Sequence, residues 1–382
     1  MHYPASKLPH IGTTIFTVMS RMANEYGAIN LSQGFPDFNG PQALLERVGH
    51  HIARGANQYP PMTGVPPLLQ AIAAKVERHY GRSLNPETEI TVTSGATEAL
   101  FDAISSVVFP GDEVILFDPA YDSYVPAIAM NGGKPVSIQL SPPLFRMDWA
   151  RVGNAITPRT RLIILNSPHN PTGAVLDADD IEQLIRLVAG TDILLLADDV
   201  YEHILFDGRQ HHSFVSHDAL FERSFVVSSF GKTYHTTGWK VGYCVAPAAL
   251  SAEFRKIHQY VTFTTPTPLQ LALADYMQQD PQHCFDLPGF YQQKRDRFCE
   301  AMQASRFRFT PSAGTYFQLM DYSAISDLPD VAFCEHLTKT VGVAAIPVSV
   351  FCQKPPAMQL VRFCFAKSDQ TLLQAAEKLC AI

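Results

Sequence analysis

The chain has 382 residues, 46% of them apolar and 17% charged, enough for a large buried core and two domains. Its formal charge is −7 and it carries no basic block, which argues against nucleic acid as a partner. No apolar run approaches the roughly 20 residues that span a bilayer, the stretch from Met1 to Lys7 lacks an apolar signal core, and seven scattered cysteines with no C-x-x-C pair argue against a disulfide framework or a structural zinc site, so the chain reads as a cytoplasmic protein in a reducing compartment.

Residues 1–45 hold no long regular element in this reading. Ile29-Asn30-Leu31-Ser32-Gln33-Gly34-Phe35-Pro36-Asp37-Phe38 is a short apolar start running into a Gly/Pro turn, where Gly34 lets backbone approach a ligand. Helical apolar spacing follows at 42–54 and 65–80, and the loop between them holds up the hydroxyl of Tyr59. Apolar strands are then expected at 89–94, 113–117, 135–140, 161–165, 192–197, 224–227 and 241–245, with helices such as 97–109 and 178–190 between them. This alternation predicts an α/β fold, a seven-stranded, mostly parallel sheet sandwiched by helices. The last strand follows a short loop and is expected to run antiparallel. No G-x-G-x-x-G follows the first strand, so a dinucleotide site is not supported. Long helical stretches occupy about 250–300. Beyond 305, short strands at 316–320 and 360–365 around helices such as 331–340 predict a smaller α+β part. The expected division is a large domain at 46–280 and a small domain built from 1–45 and 281–382.

Six places carry possible chemistry. Lys232 follows the buried strand at 224–227, inside Ser228-Ser229-Phe230-Gly231-Lys232-Thr233. At a sheet edge its amine can be desolvated and made nucleophilic, although a lone lysine is ordinarily a solvated one. Thr93-Ser94-Gly95-Ala96-Thr97-Glu98 marks a strand-to-helix junction, either an ordinary N-cap or an anion cup. Tyr121 lies just past a strand end and can stack on a flat ligand or close the core. Asn170 sits in a stiff Asn/Pro loop and can donate to a ligand oxygen. Asp198 ends a strand after the apolar run Ile193-Leu194-Leu195-Leu196 and Ala197, a place where a carboxylate needs a partner, and Tyr201 follows three residues on. Arg362 sits in an apolar strand, where it serves a structural ion pair or clamps a carboxylate. Together these residues match what pyridoxal 5′-phosphate requires: a lysine for the Schiff base, an acid at the pyridine nitrogen and a cup for the phosphate.

With these residues in hand, the chain resembles the fold-type I, pyridoxal-phosphate-dependent class I/II aminotransferases over nearly its whole length. The resemblance rests on Asn170-Pro171-Thr172-Gly173, Asp198-Asp199-Val200-Tyr201-Glu202, Ser229-Phe230-Gly231-Lys232-Thr233 and the Arg362-Phe363 strand. Asn30 to Phe38 and Thr237-Gly238-Trp239-Lys240-Val241-Gly242 are similar to the methionine and kynurenine/glutamine aminotransferase branch. The resemblance implies that Lys232 forms the imine and moves the proton, with Asp198 at the pyridine nitrogen. It implies Tyr201 and Asn170 at the ring hydroxyl, Tyr121 on the ring face, and Gly95, Ala96, Thr97, Ser229 and Lys240 at the phosphate. It further implies a homodimer in which Tyr59 reaches the neighbouring subunit's phosphate and Phe263 lines its side-chain pocket. Arg362 would clamp the α-carboxylate, with Gly34, Phe35 and Asn170 nearby. Lys240 stands where many relatives carry arginine.

No arginine matches a distal-carboxylate site, and Phe16, Phe35, Tyr121, Phe263 and Tyr316 form the candidate side-chain pocket. The expected substrate is therefore a neutral apolar, sulfur-containing or aromatic amino acid, methionine-like first, with a 2-oxo acid as acceptor in a ping-pong reaction. A pyridoxal-phosphate C–S β-lyase using the same residues is the alternative. A regulatory module that binds the cofactor without turnover is a remote one, since the chain has no basic arm. No metal site is expected.

Overall fold

The structure is a computed structural model describing residues 4–382; Met1, His2 and Tyr3, the start of the N-terminal stretch discussed above, lie outside the described residues. Twelve strands occur among the described residues. They are β1 (Ile29–Asn30), β2 (Ile90–Thr93), β3 (Glu113–Asp118), β4 (Lys134–Gln139), β5 (Thr160–Asn166), β6 (Leu194–Asp198), β7 (Ser224–Ser229), β8 (Gly242–Val245), β9 (Phe317–Asp321), β10 (Val343–Ala344), β11 (Ile346–Pro347) and β12 (Leu360–Cys364).

Seven of them form one sheet in the order β2-β8-β7-β6-β5-β3-β4. Every pair from β4 to β7 is parallel, and β8 is antiparallel to both β7 and β2. The sequence expectation of a seven-stranded, mostly parallel sheet with a reversed last strand holds. The sheet is covered on both faces, and the two-residue period of a strand sorts its side chains between them. Ile115, Phe117, Ile163, Leu165, Leu195, Ala197 and Val226 join one core. Their chain neighbours Val114, Leu116, Leu162, Ile164, Leu196, Phe225 and Val227 join the other, with Ala99, Leu100 and Ala103 of the helix Ala96–Val107. Continuing the alternation by one step places Asn166, Asp198 and Ser229, the last residues of β5, β6 and β7, on the second face. These C-terminal strand ends are where an open α/β sheet binds its ligand.

The expectation that residues 1–45 lack a long element is corrected by an 11-residue helix, Ile15–Glu25. Thr14 caps it, its hydroxyl accepting from the amide of Thr17, and Met19 and Ala23 are buried one turn apart. The apolar face is narrow, and its burial comes from sequence-distant partners. Met19 and Leu31 share a core with Val361, Phe363 and Leu379, and β1 pairs with β10 in parallel. β9, β11 and β12 form a three-stranded antiparallel sheet in the order β11-β12-β9. On this packing we propose the division into 46–280 and 1–45 plus 281–382.

Candidate active site

A cleft of about 610 Å³ opens at the strand ends. Its wall includes ten residues singled out from the sequence: Gly95, Ala96, Thr97, Tyr121, Asn170, Asp198, Tyr201, Ser229, Lys232 and Lys240.

One end is built on the start of the helix Ala96–Val107. Gly95 stands at its N-cap with φ +79° and no side-chain cap, so the first amides of the helix lack intrahelical partners. A Cβ on Gly95 would lie 3.1 Å from Lys240 Cε and 3.2 Å from its Nζ. Lys240 adopts the left-handed conformation, φ +51°, which turns its side chain back toward this cup, and its Nζ donates to Thr97 Oγ1 at 3.4 Å. Thr97 Oγ1 also lies 3.3 Å from Tyr121 Oη. Below the cup, Glu98 is buried with Asp102 and His258, His258 Nδ1 lying 2.7 Å from Glu98 Oε1.

At the floor, Asp198 is buried and accepts a 2.6 Å hydrogen bond from Tyr124 Oη. Burial pushes its carboxyl up to about 6, although the Tyr124 bond favours the ionised form. Asn166 Nδ2 donates to the Asp198 carbonyl at 2.7 Å, and Asn166 Oδ1 accepts from the Asn170 amide at 2.7 Å. Asn166 therefore fixes the backbone positions of both Asp198 and Asn170 in the wall.

Lys232 comes one turn after β7, in the short helix Phe230–Thr233. Gly231 allows this turn to close, because a Cβ there would sit 2.9 Å from Thr237 Cα. Lys232 Nζ donates to Tyr316 Oη at 3.0 Å and to the Gly34 carbonyl at 3.3 Å. Tyr316 Oη donates to the same carbonyl at 2.5 Å. Desolvation lowers the amine to about 8, with Lys240 and Arg362 adding to the fall. The amine is thus poised near neutrality, unlike a solvated lysine.

Arg362 is buried on β12. Its Nη1 donates to Asn170 Oδ1 at 2.8 Å and its Nη2 to the Ser32 carbonyl at 3.2 Å. Its guanidinium lies 3.9 Å over the Phe317 ring, and Phe16 and Phe351 flank it at 5.3 and 5.5 Å. The buried Nε has no partner among the described residues. Among the described residues no carboxylate forms a salt bridge with this cation, Asp122 acting on it only through its charge, so the structural ion pair considered from the sequence is not what is found.

Three named residues lie elsewhere. Tyr59 is 85% exposed and packs edge-on against Phe263, itself 41% exposed, with ring centroids 5.7 Å apart. Phe35 is exposed, with Lys367 Nζ bonded to its carbonyl at 2.7 Å. Sequence reasoning missed Tyr124, Asn166 and the Lys232–Tyr316 bond. Strand alternation was enough to find Asn166, two residues beyond Ile164 on the same face, whereas Tyr124 gave no sequence signal toward Asp198, 74 positions away.

Residues 26–379 match the family model "Aminotransferase class I and II". The chain belongs to this family. Its members are pyridoxal-phosphate-dependent enzymes, and this chain is an aminotransferase of the methionine and kynurenine branch that the sequence motifs resembled. It is 57% identical over 376 residues to a methionine aminotransferase of Escherichia coli (strain K12), covering 98% of this chain and 97% of that protein. It is 35% identical over 416 residues to a kynurenine–oxoglutarate transaminase of Dictyostelium discoideum, covering 98% and 95%. A crystal structure from Escherichia coli, reported with a methionine aminotransferase function, superposes with a TM-score of 0.98 at 56% identity, covering 100% of both chains.

Proposed function

We propose that the cleft binds pyridoxal 5′-phosphate and that the enzyme moves the amino group of a neutral L-amino acid, methionine first, to a 2-oxo acid in two half-reactions. The residues present suit the cofactor. The Gly95 cup is open because no Cβ fills it, and the free helix amides and the Lys240 ammonium offer donors to a phosphate. Asp198 has one side-chain donor, Tyr124, and keeps acceptor capacity toward the cleft for a protonated ring nitrogen.

In this reading Gly95, Ala96, Thr97, Ser229 and Lys240 hold the phosphate, joined by Tyr59 of a second copy in a homodimer. Asp198 holds the pyridine nitrogen, Tyr201 and Asn170 hold the ring hydroxyl, and Tyr121 covers the ring face. The bound group supplies a carbonyl that condenses with amines and a ring that accepts electrons. Lys232 would hold the group through its amine, and its Nζ, when free, would move the proton at the substrate's α-carbon. Tyr316 and the Gly34 carbonyl keep that amine at the cleft. Arg362, oriented by Asn170 and Ser32, binds the α-carboxylate and so fixes the angle of the bond to be broken.

One observation carries the substrate reading. A groove sharing Thr97 and Tyr121 with the cleft is walled by Ile11, Ile15, Phe16, Val350 and Phe351, with His10, Thr13, Thr14, Asp122 and Ser123 among them, and its lining includes no lysine or arginine. Its apolar part suits an apolar or thioether side chain, and the groove lacks the guanidinium fork that would hold a distal carboxylate bidentately. The methionine aminotransferase relative supports the same choice. A panel of amino donors with one fixed 2-oxo acid tests it. Methionine and other neutral donors should exceed aspartate and glutamate in kcat/KM, and the reverse order would overturn the reading. Pyruvate released from cystathionine without a 2-oxo acid would favour the C–S β-lyase.

A further inference from the structure

We infer that His79, His203 and Cys284 form a binding site for one thiophilic transition-metal ion, with zinc(II) the simplest occupant. The three come from separate elements: the last turn of the helix Pro66–Tyr80, the loop after β6 and the first turn of the helix His283–Met302. Their spacing in the chain hides the set, and the absence of C-x-x-C pairs says nothing about a site with one cysteine. In the fold, one ligand atom from each lies within 4.8 Å of the other two.

The nitrogens are available. His79 Nε2 and His203 Nε2 are buried atoms with no hydrogen-bond partner among the described residues, and His203 is only 6% exposed. Buried ring nitrogens rarely stay unpaired. Burial favours the neutral form of both rings, the form that donates a lone pair to a metal. Cys284 Sγ has one weak side-chain contact, Tyr234 Oη at 3.9 Å.

Two imidazoles and a thiol are the donor set of zinc rather than of magnesium or calcium. Ideal zinc bond lengths place tetrahedral ligand atoms roughly 3.3–3.6 Å apart, inside the 4.8 Å within which these three lie, so any closing-in on binding is a small side-chain movement. His79 is partly exposed, stacks on Phe285 and packs against the His203 ring with centroids 4.8 Å apart. A solvent-open cavity lined by His79, Cys284, Lys75, Tyr234 and Met277 gives access to two of the three ligands.

The charge nearby is balanced. Lys75 is bonded to Glu202, and Glu202 Oε2 lies 3.8 Å from His203 Nε2. That oxygen also accepts from Tyr80, so Glu202 neutralises Lys75 and is not counted as a ligand. Arg78 lies at the cavity rim. On binding, the Cys284 S–H bond breaks, its proton leaves to solvent through the cavity and a sulfur–metal bond forms.

The test uses holoenzyme freed of metal by dialysis against a chelator and titrated with zinc chloride by calorimetry. One zinc per chain is expected, with Cys284→Ser and His203→Gln each weakening it at least tenfold. Zinc should also raise the melting temperature of the unaltered enzyme and not that of Cys284→Ser. Cobalt(II) in place of zinc should give a near-ultraviolet thiolate-to-cobalt band that Cys284→Ser lacks. If His203→Gln does not fold, the cobalt band against Cys284→Ser decides alone. No saturable one-to-one site, an affinity unchanged in the variants, or a cobalt spectrum without the thiolate band each overturns the proposal.

Discussion

Asp198 and Lys232 are shifted in opposite directions by one cause, the loss of water. Burial raises the Asp198 carboxyl to about 6 and lowers the Lys232 amine to about 8. Lys232→Ala removes both the condensing amine and the proton carrier, and transamination should fall by about 10²–10⁴-fold or more. The neutral amine is the nucleophile, and its fraction rises with pH. Loading of apoenzyme with pyridoxal 5′-phosphate, followed by absorbance, should therefore speed up through about pH 8 and level off above it. A rate flat across that range would place the nucleophile elsewhere. Tyr124 favours the ionised Asp198, so Tyr124→Phe should raise that carboxyl further. As pH falls toward 6, the variant should lose its hold on the cofactor earlier than the unaltered enzyme, as seen by equilibrium dialysis. Arg362→Lys keeps the charge and loses the fork. A decrease of about 1.5–3 kcal/mol in transition-state binding, roughly ten- to hundredfold in kcat/KM, is expected for methionine.

At the scale of elements, the cleft depends on how closely β8 lies beside the first turn of the helix Ala96–Val107. A Cβ on Gly242 would meet the Ala96 nitrogen and the Ser228 carbonyl at 2.8 Å, backbone on both sides. Gly242→Ala should destabilise by about 1–3 kcal/mol, read by urea unfolding, and weaken cofactor retention by displacing the helix start. This contact was not legible in the sequence, where Gly242 only opens a strand. The strands themselves were legible because burial on both faces leaves continuous apolar runs, as in β3 and β7. The helix Ile15–Glu25 was not, because its buried face is only Met19 and Ala23 and much of what it packs against, on β10 and β11, lies more than 300 positions away. Several residues of the cleft wall, among them Gly95, Tyr121, Asn170, Asp198 and Lys232, could be picked out because each stands just past an apolar run, whereas Lys240 came only from the resemblance. Their couplings could not, since Tyr124–Asp198, Arg362–Asn170 and Lys75–Glu202 are set by strand order and by packing between distant segments.

At the scale of the molecule, Tyr59 and Phe263 pack against each other while 85% and 41% exposed, and Tyr260 and Val261, close to Phe263 in the chain, are exposed as well. Large exposed aromatics in contact with one another mark an interaction surface. We propose that a second copy covers them and that Tyr59 completes the partner's phosphate site. Sedimentation should then give about twice the 42.2 kDa chain mass. Co-expressed Lys232→Ala and Tyr59→Ala chains should regain activity that neither variant has alone, because one mixed site is complete. No gain on mixing would contradict the shared site. The account as a whole rests on Lys232 being the lysine that bonds the cofactor. The direct measurement is borohydride reduction of the holoenzyme followed by peptide mass spectrometry. The account predicts the phosphopyridoxyl group on Lys232; finding it on Lys240, Lys367 or another lysine, or on none, would contradict it.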